Sequence, residues 1–163
     1  MGKQNDGIRK LASKLNPWML KIEILAILFI ALGLGLKEME FEMANNILVI
    51  SFQALAIAYF ISAFWVGETI AENAFMQFII RISGIGFSIL SIGLLFSVQH
   101  YPGADLEVMI GTFTTVILIP VLIYGKNSLQ EFNIILNQKL IRACIFGIIG
   151  TLMMLNSNGV IAF

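Results

Sequence analysis

Five long apolar runs constrain the fold of this chain more than any other feature. Each run approaches or exceeds the ~20 residues that a helix needs to cross ~30 Å of hydrocarbon. Because no water satisfies backbone N–H and C=O groups in that layer, such segments must be helical. The sequence therefore predicts an all-α, polytopic membrane protein with five transmembrane helices. The runs are Trp18–Leu36, Ile47–Val66, Phe75–Val98, Leu106–Tyr124 and Leu140–Leu155.

The composition supports a membrane protein over a soluble helix bundle. Hydrophobic residues make up 58% of the 163 residues and charged residues only 12%, whereas about a quarter of the residues of a soluble domain are charged. Too little polar sequence is left to cover a soluble core of this size. We expect a single membrane domain, 1–163, with a basic amphipathic lead at 1–17 and helices at 18–36, 46–66, 75–98, 106–125 and 138–156.

The basic residues alternate between the connections, as the positive-inside rule requires. They cluster before the first span and between the fourth and fifth spans, whereas the connections after spans one and three are acidic. This predicts a multi-pass protein of the inner (cytoplasmic) membrane, with a cytoplasmic N-terminus and an external, periplasmic C-terminus, "NSNGVIAF". The 67–74 loop gives the weakest support for this orientation, because it holds two acids. The fifth span fits the transmembrane pattern least well, because its apolar stretch is short and contains Arg142.

The amino-terminal stretch "GIRKLASKLNPW" has the pattern of a helix that lies on an anionic membrane surface. Ile8, Leu11 and Leu15 follow helical spacing with basic residues between them, and Trp18 would lie at headgroup level. Anchoring is the expected role, with docking of a cytoplasmic partner as the alternative. A cleaved signal peptide is the rival interpretation. However, Ile22–Leu36 is at the long limit for one, and no A-x-A site follows it.

The chain also aligns with itself at a shift of 60 residues. The shift places Gly33 on Gly93, Phe41 on Tyr101 and Ala44 on Ala104. It relates two helical hairpins in the same orientation, as a parallel repeat would. We therefore predict two tandem hairpins followed by one helix.

The stretch "GLLFSVQHYPGADLEVMIG" resembles a helical hairpin found in small membrane proteins of Bacteroidota. The shared pattern is close to G-[LI]-L-F-K-x-x-H-[WYF]-P-G-A, and Ser97 departs from it where lysine is usual. The same hairpin occurs in the membrane stator subunit of the gliding-motility and type IX secretion motor. The resemblance implies a hairpin-built membrane subunit. "VISFQALAIAYFISAF" is similar to the stator's second helix, but Gln53 stands where that helix has a proton-carrying glutamate, and Gln53 cannot titrate.

Ionisable and polar residues within membrane spans are candidates for function. Arg81 can extend to the headgroups, whereas Glu23 has a shorter side chain and needs a partner. The repeat places Arg81 at nearly the same depth as Glu23, so we predict an ion pair between them. For Gln53 we expect interhelical packing, with a ligand or ion path as the alternative. The binding candidates are therefore Glu23, Arg81, Gln53 and His100.

The sequence offers little support for catalysis or a cofactor. It has no nucleophile elbow, phosphate loop or H-E-x-x-H motif. His100 with Asp105 and Glu107 is weak spacing for a metal, and the single cysteine, Cys144, allows no disulfide framework. We expect a non-enzyme with no cofactor and no metal site. Nothing in the sequence suggests nucleic-acid binding.

The segment "SVQHYPGADLE" predicts a tight turn between spans three and four. Pro102-Gly103 is a strong turn signal, and Asp105 is placed to cap the returning helix. In the first hairpin, "KEMEFEMANNI" keeps the aromatic residue, the alanine and a capping Asn45. His100 is then the residue that the connection does not explain.

Two functions follow from these features. We expect a non-catalytic scaffold or accessory subunit of a membrane complex, whose partners are the lipid bilayer and other membrane subunits or further copies of itself. The alternative is a small channel or transporter component, possibly coupled to an ion or to protons. Convergence of Glu23, Gln53 and Arg81 on one axis would favour transport.

Overall fold

A computed structural model describes residues 3–65, 70 and 72–157. Within them the chain is almost entirely helical and contains no strand. Short 3₁₀ segments cover 16–18 and 130–132. Much of the predicted 67–74 loop and most of "NSNGVIAF" lie outside the described residues. The helices are α1 (Lys3–Leu15), α2 (Met19–Glu38), α3 (Ala44–Ser62), α4 (Ala74–Val98), α5 (Ala104–Ser128) and α6 (Asn133–Ser157).

The helices α2 to α6 are each long and apolar enough to cross a membrane. The prediction of an all-α polytopic protein with five spans is therefore confirmed, and the chain is a multi-pass membrane protein. The largest difference from the sequence expectation lies between spans four and five. There α5 and α6 extend toward each other, so that only residues 129–132 connect them. Lys126, which lies just beyond the predicted 106–125 helix, is consequently a helical residue.

Helices that are consecutive in the sequence pack against each other, and α4 holds the bundle together. It contacts α3, α5 and α6, and it is the most deeply buried of the five spans. Its side chains Met76, Ile79 and Phe87 are fully buried in the main hydrophobic core. The helix α1 packs against α3, and its Ala12 is also fully buried.

The two hairpin turns have the same backbone hydrogen bonds at an offset of 60 residues. In the first turn, the N–H groups of residues 39, 40, 41 and 44 donate to the carbonyls of 35, 37, 36 and 41; in the second, those of 99, 100, 101 and 104 donate to 95, 97, 96 and 101. The second residue after each helix end has a positive φ, 55° at Glu40 and 56° at His100. The turn itself therefore accounts for the backbone position of His100.

The helices that follow these turns begin without side-chain caps. Gly103, with a φ of 89°, precedes α5, and Met43 precedes α3; neither donates or accepts a capping side-chain bond. The predictions that Asp105 and Asn45 are capping residues are therefore wrong, since both lie inside the first turn of their helices. Asp105 still lies where a carboxylate interacts favourably with the helix dipole.

Each hairpin also closes over a glycine at the same relative position of its first helix. A Cβ on Gly93 would lie 2.7 Å from the backbone nitrogen of Val108, and one on Gly33 would lie 2.8 Å from the side chain of Leu48. Both pairs are related by the same 60-residue offset. Glycine allows the two helices of each hairpin to approach closely at this point.

Candidate binding site between α2, α3 and α6

A buried ion pair links α2 to α6. Arg142 Nε lies 2.6 Å from Glu23 Oε1, and Arg142 Nη2 donates to Glu23 Oε2 at 2.9 Å. Glu23 is only 6% exposed. The predicted pair between Glu23 and Arg81 is therefore wrong. Arg81 is instead exposed on α4. The prediction rested on equal depth in the membrane, and depth does not determine which way a side chain faces.

The ion pair stands beside an aromatic cluster. The Tyr59 ring makes edge contacts with Phe87 at 5.4 Å and Phe146 at 5.5 Å between centroids, and the last two rings stack at 5.3 Å. Tyr59 also interacts electrostatically with Glu23 and Arg142. Apolar rings lower the local dielectric, and the attraction between opposite charges beside them is stronger for that reason.

Lys139 is a second cation next to the pair. It precedes Arg142 by three residues, so both side chains share one face of α6. It is only 8% exposed, and its ammonium forms no hydrogen bond or ion pair with any described residue. Lys139 Nζ lies over the Phe87 ring, 5.9 Å from its centroid.

A cavity of about 310 Å³ opens next to these groups. Four parts of the chain form it: the 16–18 segment, the start of α2, the end of α3 and the first half of α6. Its polar wall consists of Asn16, Tyr59, Ser62, Gln138, Lys139 and Arg142. We call it the Lys139 cavity.

The remaining predicted site residues lie away from this cavity. Gln53, Arg81 and His100 are exposed on α3, on α4 and in the second turn. The structure therefore does not bring Glu23, Gln53 and Arg81 together. The roles of these residues in binding stay predictions.

His100 lines a separate cavity of about 740 Å³ at the opposite end of the bundle. Lys37 also lines it, and its ammonium donates to the carbonyl of Val98, which ties the two hairpins together. Among the described residues, no three His, Cys, Asp or Glu side chains are grouped closely enough to hold a metal ion.

Sequence reasoning missed Tyr59, Lys139 and Arg142 as members of one site. The signal was present, because two cations three residues apart on an apolar helix require compensation. The predicted fifth helix, 138–156, contains both Lys139 and Arg142, but the sequence gives neither cation a partner. Their spacing of three residues places both cations on one face of that helix, but which face is buried depends on how the helices pack together.

Comparisons with protein-family models, with curated proteins and with solved structures find no match to this chain. The geometry of the chain itself therefore carries the functional argument.

Proposed function

We propose that the protein is a non-catalytic accessory or scaffold subunit of a membrane complex. The observation that carries this proposal is the outward-facing Gln53. It lies at the middle of α3, and its side chain is exposed on the surface of the bundle with no hydrogen bond to any described residue. An amide in hydrocarbon without a partner is costly, so a helix of another membrane chain is its expected partner.

The surface around Gln53 suits such a contact. Ile50 and Ile57 lie one turn on either side of it and are exposed, and Ala54 offers a small side chain beside them. Small residues let helices approach closely, and an amide then adds an interhelical hydrogen bond. We call this surface the Gln53 face.

The scattered positions of the intramembrane polar residues support a subunit over a pore. Glu23 is paired inside the bundle, whereas Gln53 and Arg81 face outward on different helices. A channel or transporter component, the alternative, would need several copies to bring Gln53 and Arg81 around one path.

We further propose the cytoplasmic membrane, with the N-terminus inside. Nine of the ten basic residues lie at the end of the bundle where α2 begins, or in the half of a span nearest to it; Lys37 is the exception. The positive-inside rule then assigns this end to the cytoplasm. The shared turn geometry and the resemblance to Bacteroidota hairpin proteins support a tandem-hairpin subunit.

The Gln53 face can be tested by photo-cross-linking in the native membrane. A photoreactive residue at position 57 should form a discrete adduct with one membrane protein, and that protein should co-purify in fixed stoichiometry. Gln53→Leu should weaken this association about five-fold, since such an amide is worth roughly 1 kcal/mol. Co-expression of a second, differently tagged copy identifies a self-association.

Ile117 provides the matched control. It is exposed on α5, and a photoreactive residue there should give lipid adducts. The subunit proposal fails if position 57 also yields only lipid adducts, or if Gln53→Leu leaves the protein adduct unchanged.

A further inference from the structure

The Lys139 cavity contains one more positive charge than negative charge. Arg142 and Glu23 neutralise each other at 2.6 and 2.9 Å. Lys139 is left 92% buried without a hydrogen bond or ion pair to any described residue. An uncompensated ammonium in this position is unfavourable, so an anion in the cavity would offset the cost.

The donors around the cavity suit a group with several acceptor oxygens. Lys139 offers three N–H donors, and Arg142 uses Nε and Nη2 toward Glu23, which leaves Nη1. The amides of Asn16 and Gln138 lie on the same wall. Lysine and arginine side by side are the usual partners of phosphate oxygens.

The residues beside the cavity are typical of the headgroup layer, where phosphate groups are concentrated. Its Asn16 and Pro17 belong to the segment that ends at Trp18. Trp18 is 57% exposed, and Lys21 Nζ lies 4.4 Å from its ring centroid. A tryptophan and a lysine in this arrangement are typical of the headgroup layer.

We propose that the Lys139 cavity binds a phosphate group, with Lys139 and Arg142 as its cationic contacts. The phosphate belongs either to the headgroup of an anionic phospholipid or to a free phosphate anion. Basic pockets between transmembrane helices on the cytoplasmic side bind such headgroups. Leu20 lines the cavity and is also exposed on α2, so acyl chains attached to a bound headgroup would lie along this side chain.

The test is native mass spectrometry of the full chain, titrated separately with phosphatidylglycerol and with phosphatidylcholine. Phosphatidylglycerol should bind more tightly, because choline neutralises the phosphate of the other lipid. Lys139→Met should weaken this binding about ten-fold, the loss expected for a charge-assisted hydrogen bond. Lys139→Arg should keep most of it. Inorganic phosphate is titrated in parallel, with thermal unfolding as the measure of binding.

Lys126→Met is the matched control, since Lys126 is an exposed cation at the same end of the bundle and does not line the cavity. It should leave phosphatidylglycerol binding unchanged.

Stabilisation by inorganic phosphate that depends on Lys139, without selective lipid binding, supports the site and identifies free phosphate as its ligand. Equal losses in Lys126→Met and Lys139→Met, or no Lys139-dependent binding of either ligand, would overturn the proposal. Gln138→Leu gives a second test on the exposed rim if Lys139→Met is poorly folded.

Discussion

The hairpins α2–α3 and α4–α5 share their backbone geometry but differ in their surroundings. The same four turn hydrogen bonds, the same positive φ and the same glycine contact recur at a 60-residue offset. Yet α4 is the most buried span, whereas α2 lies at the edge of the bundle. Local geometry is thus set within each hairpin, and the role of each helix is set by its neighbours.

Glu23 shows this difference most clearly. The residue at the matching position of α4 is Ser83, which is fully buried and bonds only to the carbonyl of Ile80 in its own helix. Glu23 instead reaches across to Arg142 on α6. The first hairpin is therefore held to the bundle by charge at a place where the second is held by packing.

The largest effect should come from breaking this ion pair. Glu23→Gln leaves Arg142 buried without its partner, and we expect a loss of about 3–5 kcal/mol in the free energy of unfolding. Denaturant titration in detergent micelles, followed by circular dichroism, measures it. The double variant Glu23→Gln/Arg142→Met should recover much of the loss. Ser83→Ala is the matched control in the second hairpin and should cost far less. Additive losses in the double variant would contradict a direct pair.

The next largest loss of stability should come from alanine at Gly93, and it should exceed the loss from alanine at Gly33. Gly93→Ala would press against the backbone of Val108, which cannot move aside, so we expect a loss of about 1–3 kcal/mol. Gly33→Ala meets side-chain atoms only, Cγ and Cδ2 of Leu48 at 2.8 Å and Cγ2 of Ile47 at 3.4 Å. Side chains can shift more readily than backbone, so this substitution should cost less. The same unfolding titration applies to both variants.

Gly35→Ala is the control for helix propensity, because nothing lies within 4 Å of a Cβ at that position. It should be neutral or stabilising. Equal losses for Gly33→Ala and Gly93→Ala would mean that the first hairpin is packed as rigidly as the second.

The smallest effect concerns the turns themselves. Glu40 and His100 both hold a left-handed backbone conformation, which costs a non-glycine residue about 1 kcal/mol or more. Glu40→Gly and His100→Gly should therefore each stabilise the chain by up to about 1 kcal/mol, visible as a higher Tm. A stabilised His100→Gly variant that has lost its biological activity would assign His100 a function beyond the turn.

The hydropathy of the chain was enough to predict the number and type of its spans, but not where the helices end beyond the apolar layer. Lys126, Asn127 and Ser128 are polar and still helical, since a helix can continue into water when its neighbours pack there. The boundary between α5 and α6 therefore could not be obtained from the apolar runs.

The site was less predictable for a related reason. The sequence indicated that Glu23 needs a partner and roughly how deep it lies. The choice between Arg81 and Arg142 depends on the rotation of each helix about its axis and on which helix lies beside α2. Both are properties of tertiary packing, and no pattern within a single span contains them.

The pair between Glu23 and Arg142 also has a consequence for biogenesis, because its members are separated by 119 residues. Most helix contacts join consecutive spans, so each can form soon after synthesis of its second helix. Glu23, by contrast, enters the membrane with α2, and its partner arrives only with the last described span. Until then α2 carries a carboxylate that is costly in lipid, so insertion of α6 acts as the closing step of assembly. A chain halted before α6 would lack the partner of that carboxylate.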